Sequence, residues 1–148
     1  MVCMGNICRS PIAKIVTAEL ANAAGLAKQI TFDSAGTHAQ HRGERPDTRA
    51  KTVLEKRGYV VDKKRSRRVV NKDFQEFDLV LAMDRSNLAE LQKLCPPDQA
   101  HKLRLFLDPQ AGIEIDEVPD PYYGNLAGFE RVLDLCEVAA HYWIKTLR

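Results

Sequence analysis

Strands and helices alternate along this 148-residue chain, which predicts an α/β fold with a parallel sheet and helices on both faces. Three stretches carry that prediction. Phe77 to Met83 is nearly all apolar, as a strand covered on both faces should be. From Asn125 to Thr146, apolar residues recur at helical spacing: Phe129, Val132, Leu133, Cys136, Ala139, Ala140, Trp143 and Ile144. Cys3-Met4-Gly5-Asn6-Ile7-Cys8-Arg9-Ser10-Pro11 reads as a tight loop opening directly into a helix. In parallel sheets ligands sit at such strand-to-helix turns.

In chain order, Met1-Val2 is a stub of a first strand. Pro11 suits the first helical position and Ser10 is a favoured cap before it. Ile12, Ile15, Val16, Leu20 and Ala23 then mark a helix that stops at Gly25. Ile30 and Phe32 alternate with Thr31 and Asp33, a short strand that Ser34-Ala35-Gly36-Thr37 ends as a loop. The polar stretch to Pro46 reads as a surface loop. A second helix starts at Asp47, carries Ala50, Val53 and Leu54 on one face, and stops at Gly58. Lys63 to Arg68 is basic at five of six positions, which suits either a solvated connector or a positive rim for an anionic substrate. After the Phe77–Met83 strand, Asp84 and Ser86 offer caps for a helix holding Leu88, Leu91 and Leu94, which Pro96-Pro97 ends. Leu103 to Leu107 is the next strand candidate.

The whole-chain numbers narrow the function classes. The length fits one domain, residues 1–148, and an apolar fraction of 45% supports a proper core. A net charge of +2 is too small to argue for nucleic acid as a partner. No apolar run approaches a membrane span, and polar residues and Arg9 interrupt any signal-like start. The four cysteines form no C-x-x-C pair, which points to a reducing, cytoplasmic setting rather than a disulfide framework. No His/Cys/Asp cluster has metal-ligand spacing, and no cofactor is called for.

The chemistry concentrates in two stretches. Gly5 and Asn6 are the residue types that most readily take positive φ, so the first loop can curl its N–H groups inward. A curled loop at a helix N-terminus is an anion site, and Arg9 adds a planar fork matching two phosphate oxygens. The same positive field favours a thiolate at Cys3, aimed at the phosphorus of a bound phosphate. The second stretch, Val118-Pro119-Asp120-Pro121-Tyr122-Tyr123-Gly124, follows the last strand and is expected on the same rim. There Asp120 can protonate a departing oxygen, and Tyr122 and Tyr123 can wall a slot deep enough for an aryl phosphate.

Together these two motifs closely resemble the low-molecular-weight protein tyrosine phosphatases. Asp33-Ser34-Ala35-Gly36-Thr37 and Ala82-Met83-Asp84-Arg85-Ser86-Asn87 extend the resemblance over essentially the whole chain. It implies a three-layer α/β/α fold with a four-stranded parallel sheet, and metal-free hydrolysis of phosphotyrosine through a phosphocysteine. It implies Cys3 as nucleophile, Arg9 as the clamp on the phosphate, and Asp120 as acid and then base. Met4, Gly5, Asn6, Ile7 and Cys8 would form the loop. Ser10 would hydrogen-bond the thiolate, and Ser34 would help Asn6 hold the bend. Cys8 also matches a second cysteine able to protect an oxidised Cys3 as a reversible disulfide. The implied partners are a phosphotyrosine-containing protein, a tyrosine kinase among the candidates, and inorganic phosphate or another oxyanion in the loop.

Three positions depart from the family pattern. The first strand has two residues where relatives carry several more apolar ones. Gln40 stands in the substrate wall where many members have a large aromatic residue. Lys64 aligns with a His that braces the loop Asn, so that bracing should be weaker or differently made. Two rival readings share the loop. A thiol-linked arsenate reductase needs a relay of further cysteines, and Cys95 and Cys136 have no partner at useful spacing. A non-catalytic phosphate-binding module would not need both Cys3 and Asp120.

Overall fold

The computed structural model describes residues 1–148. Four parallel strands, β1 (Val2–Cys3), β2 (Ala35–Gly36), β3 (Val80–Ala82) and β4 (Leu103–Leu105), form one sheet in the order β2-β1-β3-β4. Five helices connect or follow them: α1 (Arg9–Ala23), α2 (Thr48–Lys56), α3 (Asn71–Glu76), α4 (Arg85–Leu94) and α5 (Leu126–Leu147). The strand pleat sends alternate residues to opposite faces. Cys3, Leu81 and Met83 join the larger core, which α1, α2 and α5 cover. Val2, Val80 and Ala82 join the smaller one, closed by Phe74 of α3 and Leu91 of α4.

The last helix follows its sequence pattern residue for residue. All eight apolar positions named for it are buried, and Asn125 caps it by accepting from the Gly128 N–H. Trp143 is core, with its indole N–H donating to Phe106 O at 2.8 Å. Each such large side chain contributes roughly 1.5–3 kcal/mol on burial. Asp47 caps α2 by accepting from the Arg49 N–H, and the helix buries Ala50, Val53 and Leu54 as expected.

Four expectations need correction. Ile30 and Phe32 form no strand and pack beside a small cluster around Ala21, Leu26 and Ile144. The strand is Ala35-Gly36, inside the stretch expected to be a loop. A Cβ on Gly36 would lie 2.7 Å from Met4 O, so only glycine lets β2 pass this close under the first loop. Helix α1 begins two residues before Pro11, with Cys8 rather than Ser10 at its N-cap. Pro11 still sits in the first turn, where no N–H partner is lost. Finally, α3 was not foreseen. It is six residues of mostly polar sequence, started by Asp73 accepting from the Val70 N–H.

A cavity of about 570 Å³ lies beside β1, lined by Met1, Ile30, Phe32, Leu79, Val80 and Trp143 among others. No helix is long and apolar enough to cross a membrane.

Candidate active site

The loop between β1 and α1 turns on Asn6, whose φ of 56° is the one positive value at a non-glycine residue. Gly5 does not share it, contrary to expectation. Gly5 instead lies against His41, whose Cδ2 would stand 2.8 Å from an added Cβ. The Asn6 side chain is fully engaged. It donates to Ser10 Oγ at 2.7 Å and Ser34 Oγ at 2.9 Å, and it accepts from the Arg67 N–H at 3.0 Å. The brace is therefore a backbone N–H of the basic connector, and Lys64 is exposed.

Cys3 is buried at the base of this loop. Its Sγ lies 3.1 Å from Ser10 Oγ and accepts from the Asn6 N–H at 3.2 Å. Ser10 accepts from Asn6, so its own proton is shared between the sulfur at 3.1 Å and the Ala35 carbonyl at 3.4 Å. The N–H groups of Met4, Gly5, Ile7 and Cys8 have no backbone partner, although Ile7 and Cys8 anchor their side chains in the core. Unengaged N–H groups converging at a helix start are an oxyanion cradle. Burial, with the Asp47 charge second, pushes the Cys8 thiol up to about 12, so it stays protonated at neutral pH.

Arg9 ties the loop to the opposite rim. Its Nη1 donates to Asp84 Oδ2 at 2.6 Å and to Val118 O at 2.9 Å, while Nη2 lies 3.7 Å from Asp120 Oδ2. Asp120 is held in shape by the Tyr122 N–H, which donates to its Oδ1 at 3.1 Å. The sequence revealed Asp84 only as a helix cap. It is that too, accepting from the Asn87 N–H at 2.7 Å.

The rings beside Asp120 do not match the expected wall in full. Tyr122 packs edge-on against Tyr123 at 4.9 Å between centroids, and Tyr123 is 96% exposed. Gln40 is exposed, and the ring opposite Tyr122 is that of His41, at 5.7 Å. The 39–42 turn, closed by the Arg42 N–H on Ala39 O, carries Gln40 at its exposed tip and His41 back over Gly5. His41 was missed because nothing in its local sequence marks the turn as folding inward.

Comparison with known proteins decides the family. The model for low molecular weight phosphotyrosine protein phosphatase matches residues 1–148. The chain belongs to this family.

The phosphatase is 43% identical over 143 residues to a low molecular weight protein-tyrosine-phosphatase of Streptomyces coelicolor, covering 94% of this chain and 86% of that one. It superposes on a protein tyrosine phosphatase of Entamoeba histolytica, solved with Hepes in the active site. There the TM-score is 0.94 and the identity 43%, over 99% of this chain and 93% of the other. The tyrosine phosphatase Wzb of Escherichia coli K30, in complex with sulphate, matches with a TM-score of 0.86 and 29% identity, over 99% and 95% of the two chains. The chain is a protein tyrosine phosphatase, a hydrolase of phosphotyrosine.

Proposed function

We propose that the phosphatase works through Cys3, Arg9 and Asp120. The phosphate of a phosphotyrosine side chain seats in the loop, bonded by the free N–H groups and by Arg9. The Cys3 thiolate attacks phosphorus. The S–P bond forms as the P–O bond to the tyrosine ring breaks, and Asp120 gives its proton to the departing oxygen. Water then attacks the phosphocysteine and passes a proton to the Asp120 carboxylate. The S–P bond breaks and inorganic phosphate leaves. Ser10 stabilises the sulfur as it departs. Arg9, held by Asp84 and Val118 O, stabilises charge on the transferring phosphoryl oxygens.

The observation that carries this reading is the bridge at Arg9. One buried guanidinium, on the residue that ends the loop, also reaches 3.7 Å from Asp120, the carboxylate beside the two tyrosines. Tyr122 and His41 pack together, 5.7 Å between ring centroids at a 48° tilt, and offer aromatic surface to an aryl phosphate held on a protein. A tyrosine kinase is one such protein. The relay of an arsenate reductase finds less support. Cys136 is sealed in the core of α5, and Cys95 packs against the other face of the sheet.

Cys3→Ser tests the assignment. Turnover of an aryl phosphate should vanish while binding of inorganic phosphate, measured by calorimetry, persists, because the N–H groups and Arg9 do the holding. Retained turnover would remove Cys3 from the reaction.

A further inference from the structure

Lys63–Arg68 is the basic stretch that the reaction at Cys3 does not use. It lies against the phosphate loop. Ser66 Oγ donates to Gly5 O at 2.8 Å, next to the Arg67 N–H bond to Asn6. It is also laced to the 38–47 loop. The Gly43 N–H donates to Ser66 O and the Ser66 N–H to Glu44 O, both at 2.8 Å, and Arg65 donates to Gly43 O at 2.9 Å. That loop follows the phosphate loop from end to end, with the His38 N–H on Met4 O and the Asp47 N–H on Ile7 O.

The two segments thus build one side of the mouth. Arg42, Arg45, Lys63, Lys64 and Arg65 stand exposed on it, and none of the five forms an ion pair. Of the carboxylates nearest in sequence, Asp62 is paired with Lys14 at 2.6 Å, and Glu44, hydrogen-bonded to His41 at 2.5 Å, offsets one of the five charges when that ring is neutral. On the opposite side Asp116 and Glu117 are both bonded to Arg85. The net charge is therefore positive on the collar side of the cradle, while on the opposite side two carboxylates share the single Arg85.

We propose that this collar selects protein substrates in which Asp and Glu flank the phosphotyrosine. The proposal rests on the phosphatase reading and adds the substrate class. A single exposed ion pair does little, but five like charges on one side act together over the roughly 8–10 Å of the Debye length. They raise the rate of productive encounter with an acidic segment and are screened by salt.

The experiment compares one phosphotyrosine peptide in two versions, flanked by Asp and Glu or by Lys and Arg, with p-nitrophenyl phosphate as control. At low salt the acidic version should have the higher kcat/KM by about tenfold, and about 0.5 M NaCl should remove most of the gap. The variant R42Q/R45Q/K63Q removes charges whose side chains make no hydrogen bond. It should narrow the preference to about threefold or less and leave p-nitrophenyl phosphate turnover unchanged. Equal kcat/KM for the two peptides, or a preference that the triple variant keeps, overturns the proposal. Should that variant fail to fold, a preference of the unsubstituted enzyme that survives 0.5 M NaCl overturns it equally. No turnover of p-nitrophenyl phosphate by the unsubstituted enzyme would remove the phosphatase reading itself, and the proposal with it.

Discussion

Arg9 divides its guanidinium among Asp84, the Val118 carbonyl and Asp120. The first two contacts fix its plane, and the third sets the distance from the phosphate loop to the acid. Asp120→Asn keeps a side chain of the same shape that cannot give a proton. Turnover of phosphotyrosine should fall by about 10²–10⁴, and much less for an aryl phosphate whose leaving group needs no proton. Equal losses on both substrates would argue against the acid role. At this scale the sequence was legible where partners are local. The loop's residue types, the Asp84 cap and the helix starts near Asp47 and Asn125 could all be read off. The second role of Asp84 could not, because its partner Arg9 is 75 positions away.

The 38–47 loop and the acid loop are held in register by Arg49 at the start of α2. Its guanidinium donates to Asp47 and to Gly124 O at 3.0 Å, and it stacks over Phe129 at 4.6 Å and near Tyr122 at 5.7 Å. Arg49→Ala removes one link between the two sides of the mouth and touches neither Cys3 nor the cradle. We expect kcat/KM for phosphotyrosine to drop by up to about 10²-fold from misplacement of Asp120 and Tyr122. Phosphate binding should barely change. A comparable loss of phosphate affinity would mean that Arg49 supports the cradle instead. Long amphipathic helices such as α5 announced themselves through their period, whereas β2 and α3 did not. Two strand residues, one of them the glycine that passes under Met4 O, carry no alternation to read. The residues of α3 are mostly polar, and only Phe74 is buried.

Across the whole molecule, parallel pairing puts β1 at the centre and sends the loops after β1 and β4 to one end of the sheet. Meeting there, they are tied together by the buried Arg9 and by the polar contacts around it. Three ion-paired carboxylates sit below their ordinary range. For Asp47 the Arg49 hydrogen bond is the largest cause; for Asp73 and Asp62 burial opposes, and bonds to Arg67 and Lys14 prevail. A carboxylate lowered in the folded state stabilises fully above its unfolded pKa of about 4, and that stabilisation is lost as pH falls through the folded value. The urea midpoint should therefore fall below about pH 4, and Asp47→Asn should flatten that fall. An unchanged acid slope in the variant would exclude Asp47 as a contributor. The central claim is that phosphate passes through sulfur. Rapid acid quench of the enzyme turning over an aryl phosphate, followed by peptide mass spectrometry, tests it most directly. A phosphoryl group on Cys3 is predicted, and a phosphoryl group on another residue, or none under conditions that trap a thiophosphate ester, would contradict it.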